Sequence, residues 1–188
     1  SSQFPTGINL GDSSSGAQIT HTAKSISSGG LGANCVVTTS DELYCWGGGQ
    51  NTFPYLNGQQ SRFGKIIPTP SSSSVLSVSV GYSHSCALLS DNSIFCFGQG
   101  SAGQLGNGGT SSNYQTNSFY PSDFGNRNIV EVVTGYEATC VILDDGSLEC
   151  WGGNSGDSLC TNDPSFSNPI LSPTNIELGV GRTAKSVS

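Results

Sequence analysis

Six cysteines stand in three pairs, Cys35 and Cys45, Cys86 and Cys96, Cys140 and Cys150, each with nine residues between its members. Three identical spacings in one chain of 188 residues mark an internal repeat. The intervening segments read VVTTSDELY, ALLSDNSIF and VILDDGSLE, two strand-forming runs around a polar turn at Asp41, at Asp91-Asn92 and at Asp145-Gly146. That pattern is a β-hairpin, and a hairpin brings its two ends opposite one another, within disulfide reach. The spacing therefore predicts the bonds Cys35–Cys45, Cys86–Cys96 and Cys140–Cys150. Buried free thiols are the alternative reading. Zinc is disfavoured, since His21 and His84 are the only histidines and neither recurs with the pairs. Oxidised pairs imply an oxidising compartment, hence a secreted or surface-displayed protein.

Each hairpin leads into an aromatic residue and a glycine: Trp46-Gly47, Phe97-Gly98 and Trp151-Gly152. Equivalence of Trp46, Phe97 and Trp151 speaks for a core layer rather than a ligand cage. Ahead of each hairpin lies an alternating strand ending in glycine, over 23–30, 75–81 and 129–135. Behind it come a Gly-rich loop and a long variable Ser/Pro loop. Steps of 51 and 54 residues from Cys35 to Cys86 to Cys140 have the length of one four-stranded propeller blade. Such a unit cannot bury its own faces, so its neighbours must. The domain organisation follows: one repeat domain over 1–188, with 1–22 as part of a split blade, repeats at 23–74, 75–128 and 129–175, and the first strand of a fourth at 176–188.

The formal charge is -7, from 6 basic and 13 acidic residues, and the basic ones are scattered. Nucleic acid and anionic membrane are accordingly poor partners, and no stretch is long and apolar enough to insert in a membrane. With 26 glycines and regularly spaced Val, Ile, Tyr, Phe and Trp, the chain reads as turn-rich all-β rather than disordered.

Gly81-Tyr82-Ser83-His84-Ser85-Cys86-Ala87-Leu88-Leu89, then Cys96-Phe97-Gly98-Gln99-Gly100 and Gly103-Gln104-Leu105-Gly106-Asn107-Gly108, resembles the repeat of the regulator of chromosome condensation family. The third unit shares Gly135, Cys140, Leu143, Asp145-Gly146 and Cys150-Trp151-Gly152-Gly153-Asn154; the first is looser. The resemblance implies a fold of RCC1-like β-propeller blades, with cysteine-stapled versions looking like secreted or ectodomain forms. The nucleotide-exchange and chromatin roles of the family's nuclear member find no residue here to carry them.

The two ends invite a specific expectation. Ile176-Glu177-Leu178-Gly179-Val180-Gly181 reads as a further strand and glycine corner, which sets Ser186 where the other units hold cysteine; Asn9-Leu10-Gly11 echoes Gln104-Leu105-Gly106. About three and a half units are too few for a closed ring of roughly seven blades. A fragment, a closed homo-oligomer and a head-to-tail polymer each account for this. The favoured reading is an extracellular structural filament whose partner is another copy of the chain. A secreted module binding a protein or a glycan is the alternative, with Tyr114, Phe119 and Tyr120 as its aromatic candidates.

Cys160 stands outside the pairs, either as a lone buried thiol or as an intermolecular link. His84 has Gly32 and Ala138 at the matching places, and no Ser/His/Asp set can be assembled from the inventory. The acids Asp41-Glu42 and Asp144-Asp145 sit where turns favour Asp, and the calcium-loop ladder is absent. No enzyme activity and no cofactor are expected. No N-x-[ST] sequon occurs, while Ser71, Ser72, Ser73 and Ser74 form a low-complexity stretch open to O-glycans or serving as bare linker.

Overall fold

The computed structural model describes residues 21–48, 61–69, 73–110, 117–119, 121–155, 159 and 169–187. They form three antiparallel sheets of four strands each, taken in chain order. Blade one holds β1 (Ala23–Ser28), β2 (Asn34–Thr38), β3 (Leu43–Gly47) and β4 (Ser61–Ile66). Blade two holds β5 (Val75–Val80), β6 (His84–Leu89), β7 (Ile94–Gly98) and β8 (Asn117–Phe119). Blade three holds β9 (Ile129–Thr134), β10 (Ala138–Leu143), β11 (Leu148–Gly152) and β12 (Ile170–Asn175). This is the all-β propeller-blade architecture, as an open segment. The fourth strands β4, β8 and β12 lie inside what reads in the sequence as a long variable loop, because they carry no shared residue pattern.

Each middle pair of strands is the cysteine hairpin, with Cys35 opposite Cys45, Cys86 opposite Cys96 and Cys140 opposite Cys150. All three pairs are disulfide-bonded, with Cα atoms 4.1 Å apart. Six residues past the first cysteine the backbone turns left-handed, at Asp41, Asn92 and Gly146 (φ 60°, 64° and 79°). Asp, Asn and Gly are the residues that tolerate that conformation best, which explains the polar turn in the repeat.

The first strands β1, β5 and β9 lie side by side, and their glycine corners interlock. Gly30 N–H donates to Gly81 O, and Tyr82 N–H donates to Gly135 O. A Cβ on Gly29 would stand 2.1 Å from Gly81 O and one on Gly81 2.4 Å from Gly135 O, so neither position has room for a side chain. Gly29, Gly81 and Gly135 bond to Ala33, His84 and Ala138 respectively. The residue matching His84 in blade one is therefore Ala33, not Gly32, because blade one carries one extra residue in its corner.

The C-terminal segment also departs from expectation. Ile176–Gly181 forms no strand, and Val180-Gly181 is a turn. Ile67 N–H bonds to Leu43 O at the end of blade one, and Ile176 N–H bonds to Leu148 O at the same place in blade three. Eight residues on in each case, Val75 N–H meets Asp41 O and Ala184 N–H meets Gly146 O. Ala184 thus matches Val75, the first residue of a blade, and Ser186 matches Ser77 of the first strand rather than a cysteine.

Candidate interaction surfaces

Alternation along the hairpin strands gives every blade two apolar faces. One carries the cysteines: Cys35, Val37, Leu43 and Cys45 of blade one, Cys86, Leu88, Ile94 and Cys96 of blade two. The other carries the aromatic plug. Phe95 and Phe97 of blade two, fully buried, meet the cysteine face of blade one together with Val75, Val80, Ala87 and Leu89. Trp151 of blade three, equally buried, meets the cysteine face of blade two with Ile129, Val132, Val141 and Leu143. Burying a large apolar side chain contributes about 2 kcal/mol, so these two junctions hold the blades together.

Several polar groups at the junctions pair from one blade to the next. Ser27 Oγ accepts Val80 N–H at 3.0 Å, and Ser79 Oγ accepts Thr134 N–H at 3.0 Å. Trp151 Nε1 and Thr139 Oγ1 both donate to Gln104 O in the Gly-rich loop of blade two. With its proton spent on that carbonyl, Thr139 Oγ1 accepts from His84 Nε2 at 2.8 Å, fixing the Nε2–H tautomer. His84 Nδ1 is left without a partner, and burial lowers its pKa to about 4, so the ring is neutral. Arg127, on the link into blade three, donates to Phe124 O, Ser147 Oγ and the buried carboxylate of Glu149. These placements make His84 and Arg127 structural, and nothing in the repeat pattern pointed to the Arg127 contact.

The same two kinds of face occur once more, without an intramolecular blade against them among the described residues. On blade three, Cys140 and Cys150 form a cluster with Ala138, Leu148, Leu159, Ile170 and Ile176. On blade one, Trp46 packs with Val36 and Tyr44. Trp46 is only partly buried, whereas Phe97 and Trp151 are sealed, so the expectation of three equivalent core aromatics holds for two. Ile26 on this face is 62% exposed, while its counterpart Val132 in blade three is buried. His21 extends the face, its ring 4.8 Å from that of Tyr44 and its Nε2 3.1 Å from the phenol oxygen.

A third surface lies at the glycine corners, where the rings of Tyr82 and Tyr136 pack at 34° with centroids 4.4 Å apart and remain exposed. The sequence reading passed over this pair, although both tyrosines directly follow a corner glycine. Of the other expected positions, Ile176 is buried, Leu178 is half-buried, and Val180 and Gly181 are exposed. Ser73 and Ser74 are half-buried, and their hydroxyls bond to Asp91 and Asp41, so they belong to the hairpin-tip network and not to a bare linker. Asn9, Leu10, Gly11, Ser71, Ser72, Tyr114, Tyr120 and Cys160 lie outside the described residues, and the side chain of Phe119 is likewise not described. Among the described residues no group of His, Cys, Asp and Glu could hold a metal ion, and no helix is long and apolar enough to cross a membrane.

A family model described as the regulator of chromosome condensation (RCC1) repeat matches residues 75–104 and 129–156, and a second of the same description matches 91–142. Among solved structures, human WBSCR16 superposes with a TM-score of 0.70 at 20% identity over 85% of this chain and 41% of that one. Prp20p of Saccharomyces cerevisiae, studied for its binding to Gsp1p and histones, gives 0.67 at 19% identity over 82% and 36%. The same yeast protein bound to Kap60 gives 0.66 at 19% identity over 82% and 35%. At these identities the likeness is one of fold. The chain spans about two fifths of the length of the structures it matches.

Proposed function

We infer, given that the chain carries RCC1 repeats on β-propeller blades, that it is an extracellular, non-enzymatic assembly module whose copies stack head to tail into a filament. The observation that carries this reading is the pair of terminal faces. The cysteine face of blade three is of the kind that blades one and two bury, and the aromatic face of blade one is of the kind that blades two and three bury. One copy's blade three on the next copy's blade one repeats a junction the chain already makes twice. The contact joins two different surfaces, so it propagates unless its rotation closes a ring. Three disulfides fit an oxidising location, and secretion accounts for them.

Trp46→Asp tests the contact, because Trp46 lies on the terminal face of blade one and belongs to neither internal junction. Sedimentation velocity over a concentration series would show the unaltered chain growing with concentration and the variant staying monomeric. Equal growth of both would refute the stacking.

A second reading, a secreted module that binds another protein or a glycan, is favoured by the exposed Tyr82–Tyr136 pair, since paired aromatics at an axial rim supply rigid contact area. Tyr82→Ala/Tyr136→Ala would abolish such binding, measured against an extracellular protein and glycan panel, and would leave self-association unchanged.

A further inference from the structure

The segment that lies on the tip of blade three has a near-duplicate elsewhere in the chain. Thr183-Ala184-Lys185-Ser186-Val187-Ser188 repeats Thr22-Ala23-Lys24-Ser25-Ile26-Ser27 with one change, Ile to Val. The corresponding stretches of the other blades, Ser74-Val75-Leu76-Ser77-Val78-Ser79 and Asn128-Ile129-Val130-Glu131-Val132-Val133, share two residues and none with Thr22 to Ser27. The structural frame agrees: Ala184 N–H occupies the bond to a hairpin tip that starts a blade, and Gly146 at that tip packs against Thr183. Residues 184–187, which form no strand in the structure, thus carry the sequence and the starting bond of a blade-one opening strand. Among the described residues no strand pairs with them.

A β2-type strand with matching chemistry is what such a segment needs. β2 of this chain takes β1 in the register Ser25 to Val37, Ile26 to Val36 and Ser27 to Cys35, with Lys24 Nζ on Asp41 Oδ1 at 2.8 Å. Lys185 reproduces Lys24, and Ser188 has the hydroxyl with which Ser27 accepts Val80 N–H. β1 is also poorly held, with Ala23, Lys24 and Ile26 turned to solvent, so releasing it costs little burial.

We propose that residues 184–187 of one copy replace β1 on β2 of a second copy, a strand exchange that ties consecutive copies together. This rests on the head-to-tail stacking above and names the segment that locks it. The exchanged strand completes the second copy's blade one while Ala184 stays bonded to Gly146 of its own blade three, as Val75 is bonded to Asp41. Exchange of near-identical strands is almost neutral in ladder energy, so a high local concentration in the stacked state decides it.

Zero-length carbodiimide cross-linking reads which lysine sits on Asp41. An equal mixture of unlabelled and 15N-labelled chain is concentrated, cross-linked, digested and analysed by tandem mass spectrometry. Exchange predicts a mixed-isotope Lys185–Asp41 peptide that appears with assembly and is lost in Lys185→Ala. Assembly with Lys24–Asp41 links alone, all of single isotope, would overturn the exchange and leave stacking in place. Absence of any assembly would overturn both.

Discussion

Arg127 closes its guanidinium on Glu149, so that a carboxylate buried between the second and third blades is answered by a charge from the segment connecting them. The same guanidinium reaches Asp145 at 3.6 Å and, after the Ser147 hydrogen bonds, helps hold that carboxyl below its usual range. Removing one partner of such a pair leaves the other desolvated and unanswered. Arg127→Ala is expected to lower stability by about 3 kcal/mol in urea titrations of the oxidised protein. Arg127→Met with Glu149→Leu should recover most of that loss, since it removes both charges.

His84 makes folding pH-dependent in a defined window. Its ring titrates at about 4 in the folded chain, below the ordinary value of 6.5, because burial disfavours the charged form. Above pH 6.5 both folded and unfolded chains hold it neutral and it costs nothing. As pH falls towards 4 the unfolded chain takes up a proton that the folded chain refuses, and about 3 kcal/mol of stability is lost. The loss levels off below pH 4. His84→Gln should flatten the stability profile between pH 6.5 and 4, as thermal melts across that range would show.

Each disulfide closes a loop with a sequence separation of 10, which constrains the unfolded chain by about 3 kcal/mol. Cys86 and Cys96 are fully buried between two blades, while Cys140 lies on the uncovered face and is only half-buried. Timed reduction and alkylation, read by peptide mapping, should open Cys140–Cys150 first. The same bond should become resistant once copies stack, because the next blade covers it.

Gly81→Ala tests the close approach at the corners. The added Cβ meets Gly135 O, a backbone atom with nowhere to move. The blades must separate there, and the expected cost is about 3 kcal/mol in denaturant titration. Gly135→Ala, whose Cβ would lie 3.7 Å from Ala138 O, should cost far less at the same site.

Local chemistry was legible in the sequence and junction chemistry was not. The nine-residue cysteine spacing located the hairpins and their disulfides, because a hairpin's register is fixed by its own turn. The fourth strands were missed because β4, β8 and β12 take their register from the strand beside them and need no residue pattern of their own. The C-terminal frame was misplaced for a related reason. Ile176 follows a fourth strand, as Ile67 does, and only the paired bonds to Leu43 and Leu148 reveal that equivalence. Its correction turned Ser186 from a lost cysteine into part of a duplicate of the β1 sequence, a signal present in the residues themselves at Lys24 and Lys185. Trp46 matched Phe97 and Trp151 by position, yet burial depends on which blade stands opposite, and position alone does not say.

Electron microscopy of the unreduced protein over a concentration series tests the stacking most directly. Stacking predicts unbranched filaments in which the junction between copies has the blade spacing found within a copy, and their loss in Trp46→Asp. Discrete single particles at every concentration, or filaments unaffected by that change, would contradict it.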